Sequence, residues 1–204
     1  MKPKQIPGVP EQKKGGFHDT ESQKYYNDTE TAILKFAVLK RRFLSVHQWK
    51  KYCGKGFADF RLYDGSGKAV ERNPQPGDFI RIDIPGPGNV EAKGFDWVEI
   101  TEIDDQTLTG NQSERLLIIC QPSMIPGKDT NGHIAHFYTS EATSTFIISR
   151  NGSVIQAGIY GRNESPNFKA SFFDIIRNSL IAVGGMIGFS KIQWKKLTDG
   201  FLDF

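Results

Sequence analysis

The strongest chemical signal in the sequence is a basic run between residues 31 and 58. It holds seven Lys or Arg residues and no acidic residue. Aromatic side chains are interleaved with them. Basic groups neutralise phosphates and aromatic rings stack on bases, so this composition suits binding of single-stranded nucleic acid. One hypothesis is therefore nucleic-acid or other polyanion binding through Arg41, Arg42, Lys50 and Lys51. The alternative is a solvated basic face balanced by acidic residues elsewhere in the chain.

Composition argues against a dedicated nucleic-acid module. The formal net charge of the 204 residues is +3, which is too small to imply such a partner by itself. No sequence pattern of an RRM, a KH module or a zinc finger is present. Hydrophobic residues make up 38% and charged residues 24%, as in ordinary globular proteins.

Histidine is the second candidate for chemistry. The stretch GHIAHFYTSE places His133 and His136 three residues apart, with Glu141 nearby. On a helix this spacing lets two imidazoles share a metal, but the stretch favours a strand, on which they face opposite sides. We therefore predict neither a metal site nor a cofactor.

Nucleophilic catalysis has no recognisable motif. There is no Gly-x-Ser-x-Gly elbow and no phosphate-binding loop followed by a helix. Cys120 lies in an apolar run, where burial makes a thiol inert. We predict that Cys53 and Cys120 are buried thiols in a reducing compartment. No catalytic residue is assigned, although an enzyme whose site is assembled from distant residues stays an alternative.

The C-terminal stretch NFKASFFDIIRNSLIAVGGMIGF predicts an apolar helix over residues 172–189. It could be the core helix of the domain, or it could roof a cavity or meet a partner helix. The leading hypothesis is a non-enzymatic binding protein that engages an apolar small molecule or a protein partner through the sheet and this helix. The residues assigned to that contact are Ile176, Leu180, Val183, Gly184 and Ile187. No stretch reaches the length of a membrane-spanning helix, and the N-terminus lacks the apolar region of a signal peptide, so we expect a cytoplasmic location.

Two copies of Ser-x-x-Gln-Trp-Lys-Lys begin at Ser45 and Ser190. If each serine is an N-cap, the glutamine completes a capping box, and the tryptophan completes a hydrophobic staple with the residue before the serine. The repeat therefore predicts two helix starts. The alternative is that both Trp-Lys-Lys units form the edges of one site.

The middle of the chain predicts antiparallel strands. Ile80, Ile82 and Ile84 alternate with polar residues, which is typical of a half-buried strand. Asn151-Gly152 stands between two alternating runs and predicts a type I′ hairpin that pairs residues 143–150 with 153–161. Residues 32–43 fit either a strand or a helix, and we favour a strand because the run is short.

These elements predict an α+β fold: an antiparallel sheet or small barrel, with one short N-terminal helix and two C-terminal helices. Residues 1–28 are rich in Pro, Gly, Lys and Gln and predict a disordered arm. Residues 29–204 predict a single domain, with a possible internal break near 122–132. The order of strand, short helix, many strands and C-terminal helix resembles that of helix-grip, START-like folds, a likeness of element order that no residue motif carries.

Overall fold

The computed structural model describes residues 2–54, 57–83, 95–108, 113–128, 134–167 and 192–204. The strands are β1 Gly16–Tyr25, β2 Asp59–Tyr63, β3 Phe79–Asp83, β4 Asp96–Leu108, β5 Ser113–Pro122, β6 Thr143–Asn151 and β7 Val154–Glu164. The helices are α1 Thr29–Leu44, α2 Trp49–Cys53 and α3, residues 192–201, with a 3-10 turn at Val46–Gln48 before α2.

The described strands form one open antiparallel sheet in the order β1-β7-β6-β5-β4-β3-β2. Consecutive strands from β2 to β7 are neighbours, and β1 adds to the far edge by pairing with β7. The helices pack on one face, which we call the helix-facing side. The prediction of an α+β fold built on an antiparallel sheet is confirmed. The predicted helix over 172–189 lies outside the described residues.

The prediction of a strand over residues 32–43 is wrong, because this segment belongs to helix α1. Asp28 is its N-cap, with Oδ1 accepting a hydrogen bond from the Thr31 amide at 2.6 Å. The buried residues follow helical spacing, and Leu34, which suggested the strand alternation, is 65% exposed. Those buried residues are Ala32, Phe36, Leu39 and Phe43.

The predicted capping box at Ser45 does not form. Ser45 ends α1, where its Oγ donates a hydrogen bond to the Arg41 carbonyl at 2.8 Å, and its side chain makes no capping hydrogen bond to the 3-10 turn that follows. Trp49 begins α2 and is fully buried. In the second copy Ser190 lies outside the described residues. There Gln193 Oε1 accepts a hydrogen bond from the Ala58 amide at 2.7 Å and so ties α3 to the start of β2.

The prediction of a disordered arm over residues 1–28 needs correction, because Gly16–Tyr25 forms β1. The buried side chains of this strand are His18, Thr20 and Ser22. A strand whose inward residues are polar lacks the apolar alternation by which strands are recognised. Residues 2–15, which we call the N-terminal strap, lie on the outer face of the sheet. There Ile6 and Val9 pack against apolar residues of β5, β6 and β7.

Two local predictions of strand structure are confirmed. Ile80 and Ile82 are buried on the helix-facing side. The β6–β7 hairpin forms, although its loop is Gly152-Ser153 rather than Asn151-Gly152, since Asn151 pairs with Val154. Gly152 has φ +56°, and positive φ at the first loop residue is the requirement of a type II′ turn. The single domain over 29–204 and the break near 122–132 stay predictions.

Candidate functional site

A small, partly enclosed cavity lies between the helix-facing side of the sheet and helix α3. Its volume is about 30 Å³, which is about the room that one water molecule occupies. Its walls combine apolar side chains with an unusual share of ionisable ones. The lining residues are His18, Ile82, Asp96, Val98, His136, Phe137, Tyr138, Ser144, Phe146, Glu164 and Trp194.

A buried His–Glu pair forms one wall of the cavity. His18 Nδ1 lies 2.8 Å from Glu164 Oε1, and the two side chains are only 6% and 7% exposed. A carboxylate oxygen can only accept, so Nδ1 carries the proton of this bond. The hydroxyl of Tyr138 also donates to Glu164. Burial raises the pKa of Tyr138, and the Glu164 charge and this hydrogen bond raise it further. Glu164 is therefore satisfied from two sides.

Glycine makes room for this pair. Gly161 lies opposite His18 in the β1–β7 register. A Cβ atom on Gly161 would approach Glu164 Oε1 to 2.1 Å and His18 Nδ1 to 2.3 Å, both far inside van der Waals contact. The absent side chain lets the imidazole and the carboxyl group lie directly on the sheet.

Aromatic rings close the cavity on the helix side. The Trp194 ring of α3 is stacked on the His18 imidazole, with a centroid distance of 6.4 Å and an interplanar angle of 6°. Trp194 also makes an edge contact with Phe146 at 5.8 Å. The position of α3 therefore determines how far the His18–Glu164 pair is shielded from water.

Asp96 is the second carboxyl group of the cavity. The residue as a whole is half-buried, whereas its Oδ1 atom is shielded from solvent and has no hydrogen-bond partner in the described structure. Loss of hydration raises the pKa of Asp96 to about 7, although a hydrogen bond from the Phe137 amide opposes the shift. Asp96 is therefore close to half-protonated at neutral pH.

His136 is held in the neutral form. Its Nδ1 accepts a hydrogen bond from the Tyr138 amide at 3.0 Å. Burial lowers the pKa of His136 to about 3, because the charged imidazolium loses its hydration. The cavity thus combines a neutral imidazole, a His–Glu pair and a readily protonated carboxyl group. Such a set can exchange hydrogen bonds with a polar group of a ligand.

His18 Nε2 is a second buried polar atom among the cavity residues, after Asp96 Oδ1, that has no hydrogen-bond partner in the described structure. A buried polar atom without a partner costs free energy, on the order of 1–3 kcal/mol. Together with Asp96 Oδ1, it gives the cavity two such atoms.

The residues predicted to contact an apolar ligand or partner, Ile176, Leu180, Val183, Gly184 and Ile187, lie outside the described residues. Their role stays a prediction. His133 also lies outside them. Among the residues that are described, no three His, Cys, Asp or Glu side chains converge as metal ligands would.

The four residues predicted to bind a polyanion are not equivalent. Arg42 Nη1 donates to the carbonyls of Gly200, Phe201 and Asp203, at 3.2, 3.3 and 2.6 Å, and so binds the C-terminal end of α3. Arg41 is exposed at the end of α1. The other two residues line a surface groove.

This groove has a volume of about 590 Å³ and lies between α2, β2 and the residues after β2. Lys50, Lys51 and Arg61 supply its positive charge, while Asp59 and Glu71 supply negative charge. Lys50 Nζ lies 3.5 Å from Asp59 Oδ2, which offsets part of its charge. The groove is therefore only weakly electropositive.

The predicted thiols are buried and unpaired. Cys53 and Cys120 form no disulfide. Burial raises the pKa of Cys53 to about 12 and raises the pKa of Cys120 as well. Neither thiol is ionised near neutral pH, so neither is activated as a nucleophile.

Sequence reasoning missed the cavity residues because no local pattern marks them. His18 and Glu164 are 146 positions apart and meet only through the β1–β7 register. The one available signal was Gly161, since a glycine inside a strand often marks a close approach. For the described residues, no helix has the length and apolar character needed to cross a bilayer.

No protein-family model matches the chain. No curated protein matches it either. Among solved structures, it is similar to an uncharacterised protein from Bacillus thuringiensis, with 13% identity, 92% of this chain and 100% of that one covered, and a TM-score of 0.36. It is also similar to major latex-like protein 151 from Panax ginseng, with 11% identity, 84% and 98% covered, and a TM-score of 0.32. A third similar structure is that of Ara h 8.0201, with 14% identity, 89% of this chain and 99% of that one covered, and a TM-score of 0.29. Likenesses this weak carry no information about a ligand or an activity.

Proposed function

We propose that this chain is a non-enzymatic binding protein that holds a small, largely apolar molecule between the helix-facing side of its sheet and its C-terminal residues 172–204. The observation that carries the proposal is the small cavity beside Trp194. It joins aromatic walls to two buried polar atoms that no group in the described part of the chain reaches. Ligand sites in proteins are typically apolar pockets with a few convergent polar groups, and this cavity has that composition.

Size limits how such a ligand can enter. Sites for drug-sized molecules enclose roughly 300–1,000 Å³, whereas the cavity holds about 30 Å³. The cavity therefore receives one polar group, and the apolar body of the ligand needs further space. In the proposal that space opens by displacement of Trp194. Ile176, Leu180, Val183, Gly184 and Ile187 then contact the apolar body.

The first test is a native mass spectrum of the purified protein, followed by titration with the neutral fluorescent probe N-phenyl-1-naphthylamine. We expect either a retained small molecule or saturable probe binding. Ala182→Trp, within the predicted apolar segment, is expected to abolish probe binding by filling the space. Ala37→Trp is the matched control, because Ala37 is exposed on α1. The proposal fails if the wild-type protein binds no probe and retains no molecule, or if Ala182→Trp binds as the wild type does.

The groove beside α2 favours a second candidate function, binding of a polyanion through Lys50, Lys51 and Arg61. Arg42 contributes least to this candidate because it is engaged by the end of α3. Affinity for single-stranded DNA should fall steeply with rising salt and be lost in the Lys50→Ala, Lys51→Ala double variant. A flat salt response would exclude this candidate.

A further inference from the structure

We propose that the ligand carries a hydroxyl group, bound inside the cavity by His18 Nε2 and Asp96 Oδ1. This inference rests on the proposed function and adds the chemical class of the ligand. Both residues line the same cavity, and the two atoms are shielded from solvent and have no partner among the described residues. The volume of about 30 Å³ suits a group the size of one water molecule.

The hydrogen-bonding roles of the two residues select a hydroxyl. In the tautomer whose Nδ1 proton is directed to Glu164, Nε2 offers a lone pair; in the doubly protonated ring it offers an N–H instead. A hydroxyl can pair with either form, because it both donates and accepts. A protonated Asp96 carboxyl offers an O–H at Oδ1. A hydroxyl can donate to the first atom and accept from the second at the same time. The raised pKa of Asp96 supports this arrangement, since the protonated form is populated near neutral pH.

Charged end groups fit the cavity less well. A ligand carboxylate would enter beside Asp96 and Glu164, and a like charge in a dehydrated site is strongly unfavourable. An ammonium group carries three donors. Glu164 already receives bonds from His18 and Tyr138, so the unpartnered atoms cannot satisfy all three. Neutral alcohols and phenols remain as the best match.

The test compares three ligands that share one alkyl chain: 1-decanol, decylamine and decanoic acid. Each displaces N-phenyl-1-naphthylamine from the wild-type protein, and the displacement constants are compared. We expect 1-decanol to bind at least about tenfold more tightly than decanoic acid, because the carboxylate adds a like charge to a dehydrated site. Asp96→Leu should weaken 1-decanol by a similar factor and reduce the preference. Asp105→Leu is the control, since Asp105 is an exposed acid on β4.

The outcomes separate the inference from the proposed function. If decanoic acid or decylamine binds as tightly as 1-decanol to the wild-type protein, the hydroxyl inference is overturned while apolar binding stands. A preference for 1-decanol that survives Asp96→Leu in a folded variant overturns the assignment to this cavity. If neither the probe nor any alkyl ligand binds, the proposed function itself fails. The wild-type comparison needs no variant to fold.

Discussion

The two faces of the sheet are covered in different ways. The helix-facing side is an extended apolar core, to which strands β2–β7 and all three described helices contribute buried side chains. Among the described residues the outer face has two small apolar clusters. One is centred on Trp97 and Ala135, and the other, which we call the outer cluster, is formed by Leu117, Ile119, Ile147 and Tyr160. Only Ile6 and Val9 of the N-terminal strap pack against that cluster. Apolar area therefore stabilises the two faces very unequally.

Polar contacts hold the strap to the outer face. Arg162 Nη2 donates to the Lys4 carbonyl at 2.9 Å, and Arg115 Nη1 donates to the Pro7 carbonyl at 2.9 Å. Arg162 is also paired with Asp19 at 2.8 Å. The helix-facing core therefore defines the fold, whereas the strap is an added layer whose loss should leave the sheet intact.

Two adjacent isoleucines on β6 test directly whether the two faces contribute unequally to stability. Ile148 is fully buried in the helix-facing core, and Ile147 is buried in the outer cluster. Ile148→Ala should lower the free energy of unfolding by about 4 kcal/mol. Ile147→Ala should cost about 2 kcal/mol, because its surroundings can relax into the space left behind. Urea unfolding of the two variants measures both values. Equal losses, or a larger loss for Ile147→Ala, would show that the faces are equally important.

The dependence of stability on pH tests the helix-facing side, because the ionisable cavity groups lie there. The ordinary pKa of Asp96 is 3.8, and in the fold it is about 7. Between these values the folded protein binds more protons than the unfolded chain, so the contribution of Asp96 to stability falls as pH rises. Asp96→Asn keeps the acceptor for the Phe137 amide and removes the titration. At pH 8 this variant should be more stable than the wild type, by at most about 4 kcal/mol.

His136 opposes this trend over much of the range. Its pKa falls from 6.5 to about 3 on folding, so its contribution to stability rises with pH between those values. The wild type should therefore change little in stability between about pH 4 and 6.5. Asp96→Asn should show the rise from His136 alone. The measurement is urea unfolding at several pH values. A difference between the two proteins that does not grow from pH 4 to 7 would contradict the burial of the Asp96 carboxyl group.

The sequence predicts those features that depend on neighbouring residues and fails for those that depend on residues far apart in the chain. The Ile80 and Ile82 alternation and the Asn-Gly hairpin are local signals, and they identified β3, β6 and β7. Residues 32–43 were predicted as a strand because Leu34, Phe36 and Val38 alternate with other residues. They form a helix because Asp28 caps its first turn and its buried residues follow helical spacing. Strand β1 was missed because its buried residues are polar. The cavity was missed because no local sequence pattern predicts the strand register that brings His18 to Glu164.

Removal of the strap is the change expected to have the smallest effect. Deleting residues 2–12 exposes the outer cluster and removes the carbonyls that Arg162 and Arg115 bind, while Arg162 keeps Asp19 and the His18 and Gly161 carbonyls. Ordering the strap costs conformational entropy that offsets much of what its contacts contribute. We therefore expect a loss of only about 1 kcal/mol in urea unfolding, with unchanged binding in the cavity on the opposite face. If the truncated chain unfolds, the strap is part of the fold and not an added layer. If it folds but loses probe binding, the two faces are coupled, and the strap is not independent of the helix-facing core.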